Sequence, residues 1–288
     1  MTPTPPSRVR VGVALFSLYF VWGSTYLGMK FALEGFPPLF LAGARYLLGG
    51  LFLFGVLRTQ GGPLPTRAEW CASAGVGILL CAGNALLVVA IGLVASGLAA
   101  VVVASVPLWV ALFNGFLGQW PRPREWLGLG VGFSGIVVLQ WSGQLRSSAT
   151  AAGVLVASTI VWSLGSTWSL RVRQAPGLIA SAAQMISGGA AILIVALAVG
   201  SVPHALPGTR AMLAFGYLVV VGSMIGYSAY VYLLGHVRPA LATSYAYVNP
   251  VVALALGAAI GRETVSPHAV AALALILGGV TISAVRQQ

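Results

Sequence analysis

The chain has 288 residues, of which 58% are hydrophobic and only 7% charged, with a formal net charge of +11. Average soluble domains carry roughly 25% charged residues, so a water-soluble enzyme is excluded and a polytopic membrane protein is indicated. The positive charge sits in short connections between apolar segments, as orientation signals do, and not on a basic face for nucleic acid.

Taken in order, residues 1–10 form a tail containing Pro3, Pro5 and Pro6, expected to be mobile and cytoplasmic. The apolar run behind it is longer than a signal-peptide core and many more spans follow, so it reads as a retained helix. A helix needs about 20 apolar residues to cross a bilayer. On that measure the sequence predicts ten transmembrane helices, at about 11–30, 38–57, 69–91, 97–117, 126–142, 151–170, 176–199, 211–233, 240–260 and 268–285. Thr66 and Glu69 have the spacing of a capping box for the third span. Ser266-Pro267 suits the start of the tenth. An even number of spans puts both termini on one side. That side would carry Arg8, Arg10, Arg58, Arg67, Arg122, Arg124, Arg171, Arg173, Arg238 and Arg286, against Lys30, Arg146, Arg210 and Arg262 opposite. The bias places both termini in the cytoplasm.

The ninth span, Ala240–Ile260, is uncharged but holds Pro250 at its centre, preceded by Asn249. Proline removes a backbone hydrogen bond and leaves a carbonyl open, which lipid tolerates only where protein or a wet cavity satisfies it. The fourth span repeats this arrangement with Ser105 and Pro107. Other pairs recur at offsets of 139 to 143 residues: Val21-Trp22 with Val161-Trp162, Pro37 with Pro176, Gly49-Gly50 with Gly188-Gly189, and Asn84 with Ser223. A repeat of five spans inserts its second copy upside down, and inverted repeats around a site at mid-membrane are the usual construction of secondary transporters.

Trp22-Gly-Ser-Thr-Tyr26, Pro37-Pro-Leu with Ala42-Gly-Ala-Arg45, Ser96-Gly-Leu-Ala-Ala-Val101 with Val106-Pro-Leu108, and the stretch from Ala240 to Val252 together resemble the drug/metabolite transporter superfamily, EamA type. The resemblance covers about residues 11 to 285. It implies an all-α membrane protein of ten helices in two inverted five-helix repeats, 11–146 and 147–288. It further implies export of small metabolites or drugs across a bacterial inner membrane, and leaves the substrate open.

Candidate site residues are polar or aromatic groups at mid-depth, where such side chains are functional by default. Arg45 lies about 10 Å inside the second span. One reading makes it a clamp for a substrate carboxylate, which its fork can take bidentately. The other makes it a structural arginine holding open carbonyls near Pro107 or Pro250. Its counterpart in the repeat is Gln184. Trp22, Thr25 and Tyr26 share one helical face, as do Trp162, Ser166 and Ser169, then Ser223, Tyr227 and Tyr230, then Tyr245 and Asn249. With Asn84, these stripes suit a cavity for amphipathic metabolites such as amino acids; for any one of them, interhelical packing is the alternative. Pro107 and Pro250 are the expected hinges.

The sequence has no Asp, and Glu34, Glu69, Glu125 and Glu263 lie at segment ends. With no carboxylate at mid-depth, transport is expected to follow the substrate gradient or exchange, with proton coupling through Glu34 or Glu263 as the alternative. Cys71 and Cys81, about 15 Å apart on one helix, cannot bridge. His204, His236 and His268 lie at segment ends, and no metal, cofactor or catalytic set is expected. Lys30 and Glu34, four apart near the outer end of span one, either pair or gate, or mark the membrane interface. Smooth stripes, Gly128-Gly132-Gly135 on span five and Ala271-Ala274-Gly278 on span ten, suggest close packing within the chain or a homodimer. Two rival functions stay open at this stage. A pore-like facilitator channel needs rings of like residues. An intramembrane hydrolase built on Gly132-Phe-Ser134-Gly135 needs a histidine base at mid-depth.

Overall fold

The computed structural model describes residues 8–118, 120, 122–141, 149–237, 239–242 and 245–284. The expected boundary between the halves at 146 and 147, Arg146, Arg238, Arg286 and the start of the tail lie outside them. Among the described residues the chain is helical with no strand, as lipid demands, because a helix satisfies its own backbone. The helices are α1 (Arg8–Ala32), α2 (Pro38–Thr59), α3 (Arg67–Ile91), α4 (Ser96–Val103), α5 (Val106–Phe116), α6 (Pro123–Trp141), α7 (Ala149–Ser169), α8 (Leu178–Ala198), α9 (Thr209–His236), α10 (Pro239–Ala242), α11 (Tyr245–Ala259) and α12 (Pro267–Ala284). Helix occurs in every stretch expected to be a span. Among the described residues, seven stretches are long and apolar enough to cross a membrane: α1, α2, α3, α4 with α5, α7, α8 and α9. Val248–Ala259 and Pro267–Gly279 are shorter apolar helices.

The capping box forms at α3, with Glu69 N donating to Thr66 Oγ1 (3.3 Å) and Thr66 N to Glu69 Oε2 (2.9 Å). At α12 the Ala269 amide donates to Ser266 Oγ (3.1 Å). The fourth span is broken outright, not merely kinked. α4 stops at Val103, Ala104 and Ser105 turn, and Pro107 lies in the first turn of α5, where its missing N–H costs no helical bond. Pro250 instead sits inside a continuous α11. The sequence gives no sign of two π-helical stretches, Ser17–Trp22 in α1 and Leu218–Tyr227 in α9.

α2 packs on α8, α3 on α7 and α8, α6 on α12, and α9 on α1 and α2. α11 packs on α1 and α4. Some of these contacts are backbone to backbone: a Cβ on Gly77 would lie 2.2 Å from the Gln184 carbonyl oxygen, and one on Gly188 2.3 Å from that of Gly77. Small residues allow such approach, and close packing drives helix association where lipid removes the hydrophobic effect. Large apolar side chains such as Phe16, Phe52, Ile194, Leu213 and Val220 point outward.

Gly128, Gly132 and Gly135 do face a neighbour, but the neighbour is α12 of the same chain. That helix presents Ala272, Ile276 and Gly279, with Gly279 so close that a Cβ would lie 2.4 Å from the Gly128 carbonyl. Ala271 and Ala274 are exposed and Gly278 meets no atom within 4 Å. A one-residue shift turns a helix by about 100°, which separates the two faces. Of the two partners expected for the span-five stripe, the one within the chain is the one in contact. Lys30 and Glu34 do not pair, either. Glu34 Oε1 meets Arg210 Nη1 at 3.2 Å, and Lys30 Nζ donates to the Val94 carbonyl at 3.2 Å. Arg210, at the start of α9, also stacks over Phe31 at 3.7 Å.

Candidate functional site

The interior holds a cavity between the two halves of the chain. α1 contributes Trp22, Thr25, Tyr26 and Met29; α2 gives Arg45 and Tyr46; α3 gives Gly83, Asn84 and Leu87. Val103 and Val106 flank the break between α4 and α5, α7 adds Ser158, Thr159 and Trp162, and Gly222 and Tyr245 close the ring from α9 and α11. The centre of a water molecule can occupy about 50 Å³ of it, room for a few waters at roughly 10–15 Å³ each.

Arg45 is the charged member and is 3% exposed. Lipid exposure at this depth would cost at least about 3 kcal/mol on insertion scales, so inward placement is the physical expectation. Its Nη2 donates to Asn84 Oδ1 at 2.6 Å and to Tyr46 Oη at 3.1 Å, while Nε and Nη1 have no hydrogen-bond partner among the described residues. Both bonds go to side chains, so Arg45 does not hold the carbonyls freed by Pro107 or Pro250. The bidentate expectation also changes. A fork needs two parallel N–H groups, and Asn84 with Tyr46 takes both from Nη2, leaving single donors. Gly222 keeps the wall thin here: a Cβ on it would be 3.7 Å from Arg45 Nη1 and 3.0 Å from Thr25 Cγ2.

Aromatic rings form the end of the cavity nearer the start of α1. Trp22 meets Trp162 edge-on at 5.6 Å and Tyr245 at 5.0 Å, with Tyr230 behind at 5.2 Å from Trp22. Such contacts are worth about 0.5–1.5 kcal/mol each beyond burial. The Trp22 indole N–H donates to the Gly222 carbonyl at 3.3 Å, and a Cβ on Gly226 would lie 2.3 Å from that nitrogen.

Of the residues singled out from the sequence, Trp22, Thr25, Tyr26, Arg45, Asn84, Trp162 and Tyr245 meet at the cavity. Ser166, Tyr227, Tyr230 and Asn249 do not line it. Ser166 and Tyr230 share a hydrogen bond at 2.7 Å, and Tyr227 donates to Gln184 Oε1 at 2.7 Å. Ser223 is buried beside them and Ser169 lies off the cavity. The face assumed for Ser223, Tyr227 and Tyr230 presupposes an α-helix. Leu218–Tyr227 is wound with i→i+5 bonds and turns Gly222 to the cavity instead. Asn249, with its amide nitrogen facing the carbonyls, donates to Leu18 O (3.1 Å) and Tyr19 O (3.0 Å) of the other π-helical stretch. Pro107 lies one residue beyond the lining Val106, and Pro250 next to Asn249.

Sequence reading missed Met29, Tyr46, Gly83, Leu87, Val103, Val106, Ser158, Thr159 and Gly222. Ser158 and Met29 were within reach, since each continues a recognised stripe by one helical turn. It also missed the partners of Glu263, whose carboxylate accepts from Ser96 N (3.0 Å), Ser96 Oγ (2.8 Å) and Gly97 N (3.3 Å) at the start of α4. Nothing local to Glu263 signals a partner 167 residues away.

The EamA-like transporter family profile matches residues 11–141 and again 149–285. The chain belongs to the EamA-like transporter family. It is 41% identical over 271 residues to the uncharacterized inner membrane transporter YedA of Escherichia coli (strain K12), covering 93% of this chain and 89% of YedA. An uncharacterized transporter of Synechocystis, sll0355, is 26% identical, over 90% of this chain and 85% of its own. A solved crystal structure shares the fold with a TM-score of 0.70 at 22% identity, covering 96% of this chain and 98% of its own. The EamA chain is accordingly a membrane transporter and not an enzyme, and it is a multi-pass protein of the bacterial inner membrane. The Ser134 hydroxyl of the hydrolase-like motif serves the backbone, donating to Val131 O at 2.7 Å.

Proposed function

We propose that this protein is a secondary transporter that exports small amphipathic metabolites by alternating access, with the cavity around Arg45 as its binding site. One observation carries the reading: a buried cation with unpartnered N–H groups lines a cavity whose walls come from both halves of the chain. The architecture that supports it is ten transmembrane helices in two inverted five-helix repeats, 11–146 and 147–288. The twofold family match and the packing both favour it. α3 on α7 has its counterpart in α9 on α1, and α3 on α8 in α9 on α2. Contacts also gather the connections expected on one side: Glu34 with Arg210, Lys30 with Val94, Glu263 with Ser96. Both termini then lie in the cytoplasm. Rocking of one repeat against the other around a fixed site is the mechanism such repeats allow, with flexing at Pro107 and Pro250.

Counterflow in liposomes tests this. Purified protein is loaded with one unlabelled amino acid or related carboxylate at a time, and labelled uptake is followed without an ion gradient. Transient accumulation that depends on the trapped solute is the expected result and is the signature of a carrier. Uptake that never exceeds equilibration, whatever is trapped, would convict a channel instead.

A further inference from the structure

The charge balance of the cavity carries the substrate class further. Every lining side chain except Arg45 is neutral, and none is a carboxylate. Two carboxylates at the end of the molecule where α1 finishes are committed elsewhere: Glu34 to Arg210, and Glu263 to Ser96 and Gly97. Lys30 lies one turn beyond Tyr26 on α1 and adds a second positive charge near the same end. Among the described residues the Arg45 guanidinium, 3% exposed, meets two neutral oxygens, from Asn84 and Tyr46, and the Tyr46 ring at 4.6 Å, but no carboxylate. A charge buried without a counter-charge is costly unless something compensates it. Arg45 lines the cavity, so a cargo bound there can supply the missing counter-charge. A cationic cargo 4 Å from Arg45 would be repelled by roughly a thousandfold in affinity, at an effective dielectric of about 20. An ammonium on a zwitterion has no anionic group in the wall to meet it.

We infer that the cargo is an organic monoanion with an apolar or aromatic body, and that it crosses uncompensated, so that the membrane potential drives its export. This rests on the carrier reading above. The loaded site is neutral, since Arg45 balances the anion, and the unloaded site returns with its fixed positive charge. Each turnover thus moves one negative charge. Among the described residues the cavity offers no carboxylate or histidine as a proton carrier, so no proton needs to accompany the anion. An interior-negative potential expels such an anion, and 100 mV holds it about fiftyfold out of balance.

The test uses probes of one ring and fixed charge in proteoliposomes: benzenesulfonate and phenylacetate as anions, phenylalanine as zwitterion, phenyltrimethylammonium as permanent cation. Valinomycin and a potassium gradient set the potential, a separate buffer step sets the pH difference, and protein-free vesicles correct for leak. The expected result is anion accumulation inside interior-positive vesicles, approaching fiftyfold per 100 mV and indifferent to the pH step, with phenylalanine at least tenfold slower and the cation excluded. R45Q should abolish the preference for anions over phenylalanine, and R45K, which keeps the charge, should retain it. If R45Q does not fold, R45K and the native charge series decide. Counterflow of phenylalanine or the cation as fast as the anions overturns the inference and leaves the carrier reading standing. So does anion accumulation that follows pH and ignores potential. Failure of all four probes in both counterflow and driven uptake sinks the carrier reading, and this inference with it.

Discussion

Replacing Gly77 by alanine tests whether α3 and α8 are in true backbone contact. The added methyl would lie 2.2 Å from the Gln184 carbonyl oxygen and 2.6 Å from its Cα, where ordinary contact begins near 3.4 Å. The obstacle is helix backbone, not a side-chain tip that can swing away. The helices would therefore have to part by about 1 Å, an overpacking of the kind that costs about 1–3 kcal/mol. Alanine's helix propensity returns about 1 kcal/mol, so the net loss should be up to about 2 kcal/mol. Gln184 also accepts the Tyr227 hydroxyl at 2.7 Å, so the disturbance reaches the core beside the cavity. G153A is the control, because a Cβ there meets no atom within 4 Å. Thermal unfolding in detergent, read by loss of monodisperse protein, should show G77A below the native chain and G153A at or above it. G77A as stable as G153A would refute the close approach of the two helices.

Removing the Glu263 carboxylate should destabilise in the order E263A more than E263Q. Alanine leaves the Ser96 and Gly97 amides unpaired, and hydrogen bonds to a charged group are worth about 1.5–3 kcal/mol; equal stability of both variants would contradict the cap. N249A should lower stability by about 0.6–1.7 kcal/mol, the range for hydrogen bonds between membrane helices, yet leave substrate affinity unchanged because Asn249 does not line the cavity; a larger effect on affinity than on unfolding would place it in the site. P250A should slow turnover more than it weakens binding in proteoliposome transport, and an unaltered turnover number would remove Pro250 from the list of hinges.

Much of this was readable from the sequence because lipid imposes simple rules. Apolar runs of spanning length, a capping box at Thr66 and a break near Pro107 follow from local chemistry, and all appear as helices and helix ends. The inward placement of Arg45 follows from the cost of its charge in hydrocarbon. What escaped was winding and rotation. Period-3.6 reasoning put Tyr227 and Tyr230 on the cavity, and a π-helical stretch put Gly222 there. The same reasoning chose Ala271, Ala274 and Gly278 as the packed face of α12, one residue away from the face in use. Long-range partners such as Glu263 with Ser96 depend on tertiary structure and leave no trace in local spacing.

The two π-helical stretches adjoin each other, joined where the Trp22 indole reaches the Gly222 carbonyl. A turn closed by i→i+5 bonds stores one residue more than an α-turn. Rewinding Ser17–Trp22 to ordinary α-helix would spin everything after it by about 100°, carrying Thr25 and Tyr26 off the cavity wall without any change of tilt. The register of the cavity wall thus depends on these two wide turns as well as on the helices packed around them. Amides within those turns should exchange with solvent deuterium sooner than their neighbours, and sooner still when the cavity is empty.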